Sequence, residues 1–130
     1  MKRSLSITAW VLQVLAAVAF LGAGIPKLTG AAPMVQMFET IGIGQWFRYA
    51  TGGIEVGSAV LLLVPGAAAF GAILLACTMV GAILTHLFIL HSRPTAPIVL
   101  LALVSAIIWL HRGRITGRRT TARPIPADLA

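Results

Sequence analysis

The sequence predicts an all-α membrane protein: a four-helix transmembrane bundle with a short interfacial amphipathic helix between spans one and two. Of its 130 residues, 58% are hydrophobic and only 10% are charged, whereas a soluble domain carries about 25% charged residues. The mean hydropathy is +0.96. The apolar residues also gather in four runs separated by glycine, proline and polar residues, a pattern typical of membrane-spanning helices.

The four apolar runs define one predicted membrane domain, residues 1–112. The first run is about 20 residues long, enough to span and longer than the apolar core of a cleaved signal peptide, so we expect it to be retained. Pro65 and Gly66 predict a tight hairpin between spans two and three, and Pro94 and Pro97 predict a helix start before span four. The predicted spans are residues 5–24, 47–64, 67–90 and 96–110.

A shorter segment between spans one and two has its own helical pattern. Met34, Met37, Phe38 and Ile41 recur at positions i, i+3, i+4 and i+7, and the polar residues of the segment fall elsewhere. The segment is too short and too polar to span, so it predicts an amphipathic helix lying in the membrane interface. A loop packed over the bundle is the alternative.

The distribution of positive charge predicts the topology. The net charge of +7 comes mainly from residues before the first run and after the last one, which marks cytoplasmic ends rather than a nucleic-acid interface. Four spans put both termini on one side, with seven Lys and Arg residues there and three on the other side. We therefore expect a multi-pass protein of the bacterial cytoplasmic (inner) membrane with both termini cytoplasmic. Residues 113–130 are predicted to form a basic, flexible cytoplasmic tail that contacts anionic lipid.

Several kinds of site are disfavoured. The single cysteine, Cys77, cannot form a disulfide within one chain, and it is predicted to be a small core residue. The sequence has no metal-ligand spacing, no phosphate-binding glycine loop and no Ser/His/Asp pattern, so no metal site is predicted. Gly53 and Gly57 form a small-xxx-small pair suited to a helix contact within the bundle or in a homo-oligomer, and both interpretations stay open.

Glu55 is the least expected residue in the predicted spans. If span two enters the membrane at Phe47, Glu55 lies roughly 12 Å below the surface. A lone ionised carboxylate at that depth costs at least ~2.5 kcal/mol, so we expect Glu55 to be neutral, paired or facing a wet cavity. Arg48, Gly52 and Glu55 share one stripe of the helix, and Lys27, at the outer end of span one, is the other candidate partner.

Three spans bring polar residues to the outer half of the predicted bundle. Span one contributes Lys27, span two contributes Arg48 and Glu55, and span three contributes Thr85 and His86. The alternatives are cations that snorkel to the interface, a structural ion pair, and a hydrogen-bonded core histidine. Taken together, the cluster could donate hydrogen bonds to a carbonyl and carry a proton, and it would therefore suit the head group of a quinone.

The sequence resembles the DoxX-like family of small four-helix membrane proteins. The resemblance runs from about Ala19 to Leu103 and rests on "GAGIPKLTG" and on "MVQMFETIGIGQWFRYATGGIEVGSAVLLLVPGAAAFGAILLACTMVGAILTHLF". Its recurring elements are Gly-x-x-Lys-Leu, Gly-x-x-Glu and a Thr-His pair. By this resemblance, Lys27, Glu55 and His86 occupy the family's polar positions, and Arg48 and Tyr49 open its second helix.

The resemblance implies a function, which we state as an expectation. Some DoxX relatives are linked to quinone-coupled sulfur oxidation or to membrane oxidoreductase complexes, so we expect a non-autonomous membrane subunit that binds a quinone or similar lipid-borne ligand for a redox partner. Any enzymatic role would be at most that of an oxidoreductase subunit. A non-catalytic membrane scaffold or assembly factor is the main alternative. A small proton-coupled exporter is disfavoured because Lys27 and Arg48 would repel a cationic substrate.

Overall fold

The computed structural model describes residues 2–112, and this part of the chain contains five helices and no strand. The predicted all-α class is therefore confirmed for the described residues. The predicted tail, residues 113–130, lies outside them. The helices are α1 (Lys2–Thr29), α2 (Ala32–Ile41), α3 (Gln45–Leu62), α4 (Ala68–Phe88) and α5 (Thr95–Leu110). α1 packs mainly against α3, α3 also packs against α4, and α4 packs against α5.

α1 is longer than the predicted span because it continues through Pro26. Proline lacks the N–H that would bond to the carbonyl four residues back, so a helix usually bends or ends there. Here one further turn forms before Gly30, whose φ of 75° lies in the left-handed region. The extension places Lys27 in the last turn of α1, where a cation is favoured by the helix dipole.

α2 is present where the amphipathic helix was predicted. Phe38 is buried, whereas Gln36, Glu39 and Thr40 are exposed. The ring of Phe38 lies 5.7 Å from that of Phe47 in α3, and this aromatic contact holds α2 against α3. The helix stops at Gly42, a left-handed residue whose N–H donates to the Phe38 carbonyl, an arrangement in which glycine avoids a steric penalty.

Glycines allow the helices to cross closely. A Cβ atom added to Gly24 would lie 3.1 Å from the Gly52 carbonyl oxygen, and one added to Gly71 would lie 2.8 Å from the Ser58 carbonyl oxygen. The first pair defines the crossing of α1 and α3, and the second defines the crossing of α3 and α4. Of the two interpretations of Gly53 and Gly57, a contact within the bundle is wrong, because nothing lies within 4 Å of either added Cβ.

The buried core lies between α1, α3, α4 and α5 and is built mostly from alanine and branched aliphatic side chains. It includes Phe20, Leu62, Leu75 and Ile107, each 0% exposed. Cys77 is not part of it: the predicted core position is wrong, since Cys77 lies on an exposed face of α4. The apolar residues around Cys77 in the sequence are consistent with either a core-facing or an outward-facing position, so they did not reveal that the Cys77 side chain points away from the core.

Two of the described helices are long and apolar enough to cross a membrane, Ser6–Thr29 and Ala68–Phe88. α5 is apolar but shorter. α3 has 18 residues, about 27 Å of helix, but it carries Arg48 and Glu55. Both of these side chains are buried within the chain, with 5% and 1% exposure. The two charged side chains of α3 thus face the other helices.

A hydrogen-bonded network joins the helices at the end of the bundle where α3 and α5 terminate. The buried Gln13 side chain donates from Nε2 to the Leu62 carbonyl at 2.7 Å, and its Oε1 lies 2.9 Å from Nε2 of His111. Because the amide nitrogen of Gln13 is committed to a carbonyl, its oxygen faces the histidine, and His111 must carry a proton on Nε2. This network links α1, the end of α3 and the end of α5.

We expect Gln13→Leu to lower the free energy of unfolding by about 1–3 kcal/mol, because it removes the hydrogen bond that Gln13 donates to the buried Leu62 carbonyl. Denaturation in detergent, followed by circular dichroism, would measure the change. Val14→Leu, at an exposed position one residue along α1, is the control and should have little effect. Equal stability of Gln13→Leu and the wild type would contradict the proposed importance of the network.

Candidate functional site

An ion pair between α1 and α3 is the centre of the candidate site. The Lys27 ammonium donates to both carboxylate oxygens of Glu55, each at 2.9 Å, and to the Ala23 carbonyl at 3.1 Å. The side chains are 13% and 2% exposed, respectively. The predicted pairing of Glu55 with a cation is therefore confirmed, with Lys27 as the partner. The close crossing at Gly24 and Gly52 brings the two helices near enough for this contact.

Arg48 lies near the pair but has other partners. Its Nη1 donates to the Lys27 carbonyl, and its Nε donates to Oε1 of Gln45 at 2.7 Å. The Lys27 carbonyl belongs to the last turn of α1, where carbonyls have no partner within the helix. Arg48 thus caps α1 and fixes the backbone of Lys27, and it is not among the residues that line the cavity described next.

Tyr49 faces away from the ion pair. Its side chain is 51% exposed, and its ring lies 4.3 Å below the Arg48 guanidinium carbon. This cation–π contact covers one face of the guanidinium. Of the six residues predicted to form the polar cluster, Tyr49 and Arg48 are the two that do not line the cavity.

The other four predicted residues, Lys27, Glu55, Thr85 and His86, line a single cavity of about 400 Å³. The cavity lies between α1, α3, α4 and the start of α5, and one side is formed by α2. Its walls are mostly apolar. The side chains of α2 that line it are those that defined its predicted apolar face: Met34, Met37, Phe38 and Ile41. A volume in this range suits a small organic ligand.

His86 is held at the end of α4 by a residue that the sequence did not single out. Its Nδ1 lies 2.7 Å from the Ser92 hydroxyl, and the Ser92 N–H donates to the His86 carbonyl at 2.9 Å. The chain turns between them at His91, whose φ of 49° is left-handed. Since Ser92 engages Nδ1, Nε2 is the ring nitrogen that remains for a ligand.

This arrangement can bind an apolar molecule and orient it through a few polar contacts. The ion pair and the imidazole are the strongest polar groups of the cavity wall, and the remaining wall is mostly apolar. Among the described residues, no group of three or more His, Cys, Asp or Glu side chains could hold a metal ion. The carboxylate, ammonium, imidazole and hydroxyl groups at the cavity suit hydrogen bonding and proton transfer with an organic ligand.

Comparison with known proteins identifies the family. A family model described as the DoxX-like family matches residues 11–108, well over half of the chain. The chain belongs to the DoxX-like family. The matched region contains every residue predicted for the polar cluster. Family membership, together with the two long apolar helices, indicates a membrane-associated protein.

This DoxX-like protein is also similar to a protein of Bacillus subtilis (strain 168) that bears the name "Putative oxidoreductase CatD". The two chains are 31% identical over 85 residues, which are 65% of this chain and 63% of the relative. The similarity thus spans less than two thirds of the relative's length. No solved structure matches the chain significantly.

Sequence reasoning missed the residues that position the cluster. Ser92 follows His86 by six residues across a helix end, and Gln45 precedes Arg48 by one helical turn. The spacing of Gln45 and Arg48 is a signal that helix periodicity could have supplied. The contact of Ser92 depends on the path of the loop after α4, which the sequence pattern does not specify.

Proposed function

We propose that this DoxX-like protein is a four-span bundle of the bacterial cytoplasmic membrane that binds a quinone or similar lipid-borne ligand for a redox partner. Both termini are cytoplasmic in this proposal, α2 lies in the outer interface, and residues 1–112 form the membrane domain. The cavity that contains Lys27, Glu55, Thr85 and His86 is the ligand site.

The exposed surface supports four spans. Each of α1, α3, α4 and α5 presents large apolar side chains outward, including Val18, Val60, Phe70 and Val99, which are 52–66% exposed. A soluble monomer rarely exposes so much contiguous apolar surface, whereas a lipid-facing bundle requires it. The charged side chains of α3, Arg48 and Glu55, are buried against the other helices, so this helix too can cross a bilayer despite its charges.

The composition of the cavity supports a lipid-borne ligand. The mostly apolar cavity of about 400 Å³ has an ion pair and an imidazole in its wall. Binding sites for small molecules typically combine an apolar lining with a few polar groups that orient the ligand. The oxidoreductase name of the Bacillus subtilis relative favours a redox-active ligand. A bound quinone would supply the electron transfer, while this chain would bind and orient it.

The proposal predicts that a ligand copurifies with the protein. After purification in mild detergent, mass spectrometry of the extracted lipids should find a quinone, in its oxidised or reduced form, in near-stoichiometric amount, and crosslinking in membranes should capture a redox enzyme. Gly81→Phe should reduce the bound ligand at least ten-fold, because Gly81 lines the cavity and its added Cβ meets no atom within 4 Å.

Gly57→Phe is the matched control. Gly57 also has open space around its added Cβ but does not line the cavity, so its ligand content should equal that of the wild type. A wild-type extract without quinone would contradict the proposal. Equal ligand loss in both variants would assign the loss to general perturbation of the bundle.

A second candidate function is favoured by the ion pair itself. Lys27 and Glu55 satisfy each other between α1 and α3, and a buried pair can fix helix register without taking part in any reaction. In that case the protein is a non-catalytic membrane scaffold or assembly factor. A ligand-free wild-type extract, together with lower stability of Glu55→Gln, would favour this function.

A further inference from the structure

The polar side chains of the cavity differ in what they can still offer a ligand. An ammonium group has three protons to donate. Those of Lys27 are directed to the two Glu55 oxygens and to the Ala23 carbonyl. Lys27 therefore has no proton left for a ligand carbonyl. Glu55, by contrast, accepts two hydrogen bonds of the roughly four that a carboxylate can accept.

The threonine hydroxyls of the cavity are committed in the same way. Thr51, Thr78 and Thr85 all line the cavity, and each donates its hydroxyl proton at 2.8 Å to the backbone carbonyl four residues earlier. A hydroxyl that donates in this way retains only its oxygen lone pairs for other partners. These three side chains thus face the cavity as hydrogen-bond acceptors.

His86 is the remaining polar side chain, and its available atom is Nε2. If Nδ1 donates to Ser92, Nε2 is an acceptor; if the Ser92 hydroxyl donates to Nδ1, Nε2 carries a proton. The cavity side chains therefore offer acceptors at Glu55 and at three threonines, and at most one donor. This balance disfavours a ligand whose polar atoms are carbonyl oxygens alone.

We propose that the cavity selects ligands by their hydroxyl protons and so binds a phenolic or hydroquinone ring more tightly than the corresponding quinone. This inference rests on the proposed function, because it concerns the same cavity. A phenolic O–H can donate to the unfilled lone pairs of Glu55, a charge-assisted hydrogen bond of the strong class. The carbonyl of the oxidised ring finds no such partner on Lys27.

The charge of the site favours a neutral donor over a cationic one. Lys27 and Glu55 together carry no net charge, and the ammonium lies 2.9 Å from the carboxylate. A ligand cation that approached Glu55 would meet the Lys27 charge in a weakly screening environment. A neutral hydroxyl makes the same hydrogen bond without that repulsion.

The test compares three ligands of nearly the same shape on the purified protein under anaerobic conditions. They are duroquinol, duroquinone and the dimethyl ether of duroquinol, which has no O–H group. We expect duroquinol to bind at least ten-fold more tightly than either of the others. A ten-fold preference for the reduced ring raises the midpoint potential of the bound couple by about 30 mV, which a redox titration detects.

The outcomes separate this inference from the proposed function. If duroquinone binds as tightly as duroquinol, the selection by hydroxyl protons is overturned while a quinone site remains. If none of the three binds, and decylubiquinol and decylubiquinone do not bind either, both proposals fail. When duroquinol binds more tightly than duroquinone, the inference is supported; tighter binding of decylubiquinol than of duroquinol then identifies a membrane quinol as the source of the hydroxyls, and the reverse identifies a free phenol.

A variant that keeps the ion pair provides an independent test. Thr78→Val with Thr85→Val removes two acceptors but preserves side-chain shape, so we expect the preference for duroquinol over duroquinone to fall by about three-fold or more. Thr40→Val is the control, because Thr40 makes the same bond to a carbonyl four residues earlier but does not line the cavity. An unchanged preference in the double variant would argue against acceptor-based selection.

Discussion

Replacing Lys27 with methionine is expected to lower the free energy of unfolding by about 3–5 kcal/mol, the range found when one partner of a buried ion pair is removed. Glu55 accepts hydrogen bonds from Lys27 and, among the described residues, from no other side chain. Its carboxylate would therefore be left buried at 1% exposure without a counter-charge. Glu55→Ala should also destabilise the bundle, because it strands the ammonium.

Two further variants distinguish the loss of the pair from the loss of a side chain. Lys27→Met combined with Glu55→Gln should recover much of the stability, because the double variant leaves no buried charge. Arg93→Met removes an exposed cation of the same predicted side and should change stability by less than about 0.5 kcal/mol. Denaturation by dodecyl sulfate in mixed micelles, followed by circular dichroism, would measure the free energy of unfolding of the wild type and of the four variants. Unchanged stability of Lys27→Met would refute a stabilising role for the pair.

Gly52→Ala is expected to have the second-largest effect, a loss of about 1–3 kcal/mol from overpacking. The added Cβ would lie 2.9 Å from Cβ of Lys27 and 3.0 Å from the Gly24 carbonyl oxygen. Since the second of these atoms belongs to the backbone, α1 must move away from α3. That movement would also lengthen the contact between Lys27 and Glu55, so ligand binding should weaken together with stability.

The neighbouring residue provides the matched control for this substitution. Gly53→Ala places its Cβ in open space, and alanine is favoured over glycine in a helix by roughly 0.5–1 kcal/mol. We therefore expect Gly53→Ala to be neutral or stabilising in the same denaturation assay. If both alanine variants behave alike, the close crossing of α1 and α3 does not limit the packing of the bundle.

The helices were predictable because their signal is local. The apolar runs and the breaks at Pro65, Gly66 and Pro94 predicted the long helices to within a few residues, except at the end of α1. That end was missed because Pro26 normally stops a helix, whereas here Arg48 caps the additional turn from another helix. The periodicity of α2 was equally local, and its apolar residues are the ones that line the cavity.

The candidate site was predictable in part. The cost of isolating Glu55 in an apolar environment required a partner, and helix depth limited the candidates to Lys27 and Arg48. The choice between them could not be made from depth, because it depends on how α1 and α3 are rotated about their axes. That rotation is set by the close approach of Gly24 and Gly52, and the same rotation turns Tyr49 outward.

The sequence by itself determined that this chain is helical, apolar and marked by a carboxylate that needs a partner, because hydrophobicity, helix period and the cost of a buried charge are properties of short segments. Only the tertiary structure decided that Lys27 is the partner, that Arg48 caps α1, and that the threonine and lysine protons are already committed. These outcomes depend on which faces of separate helices meet, and residues far apart in the chain acquire that relation only when the helices pack.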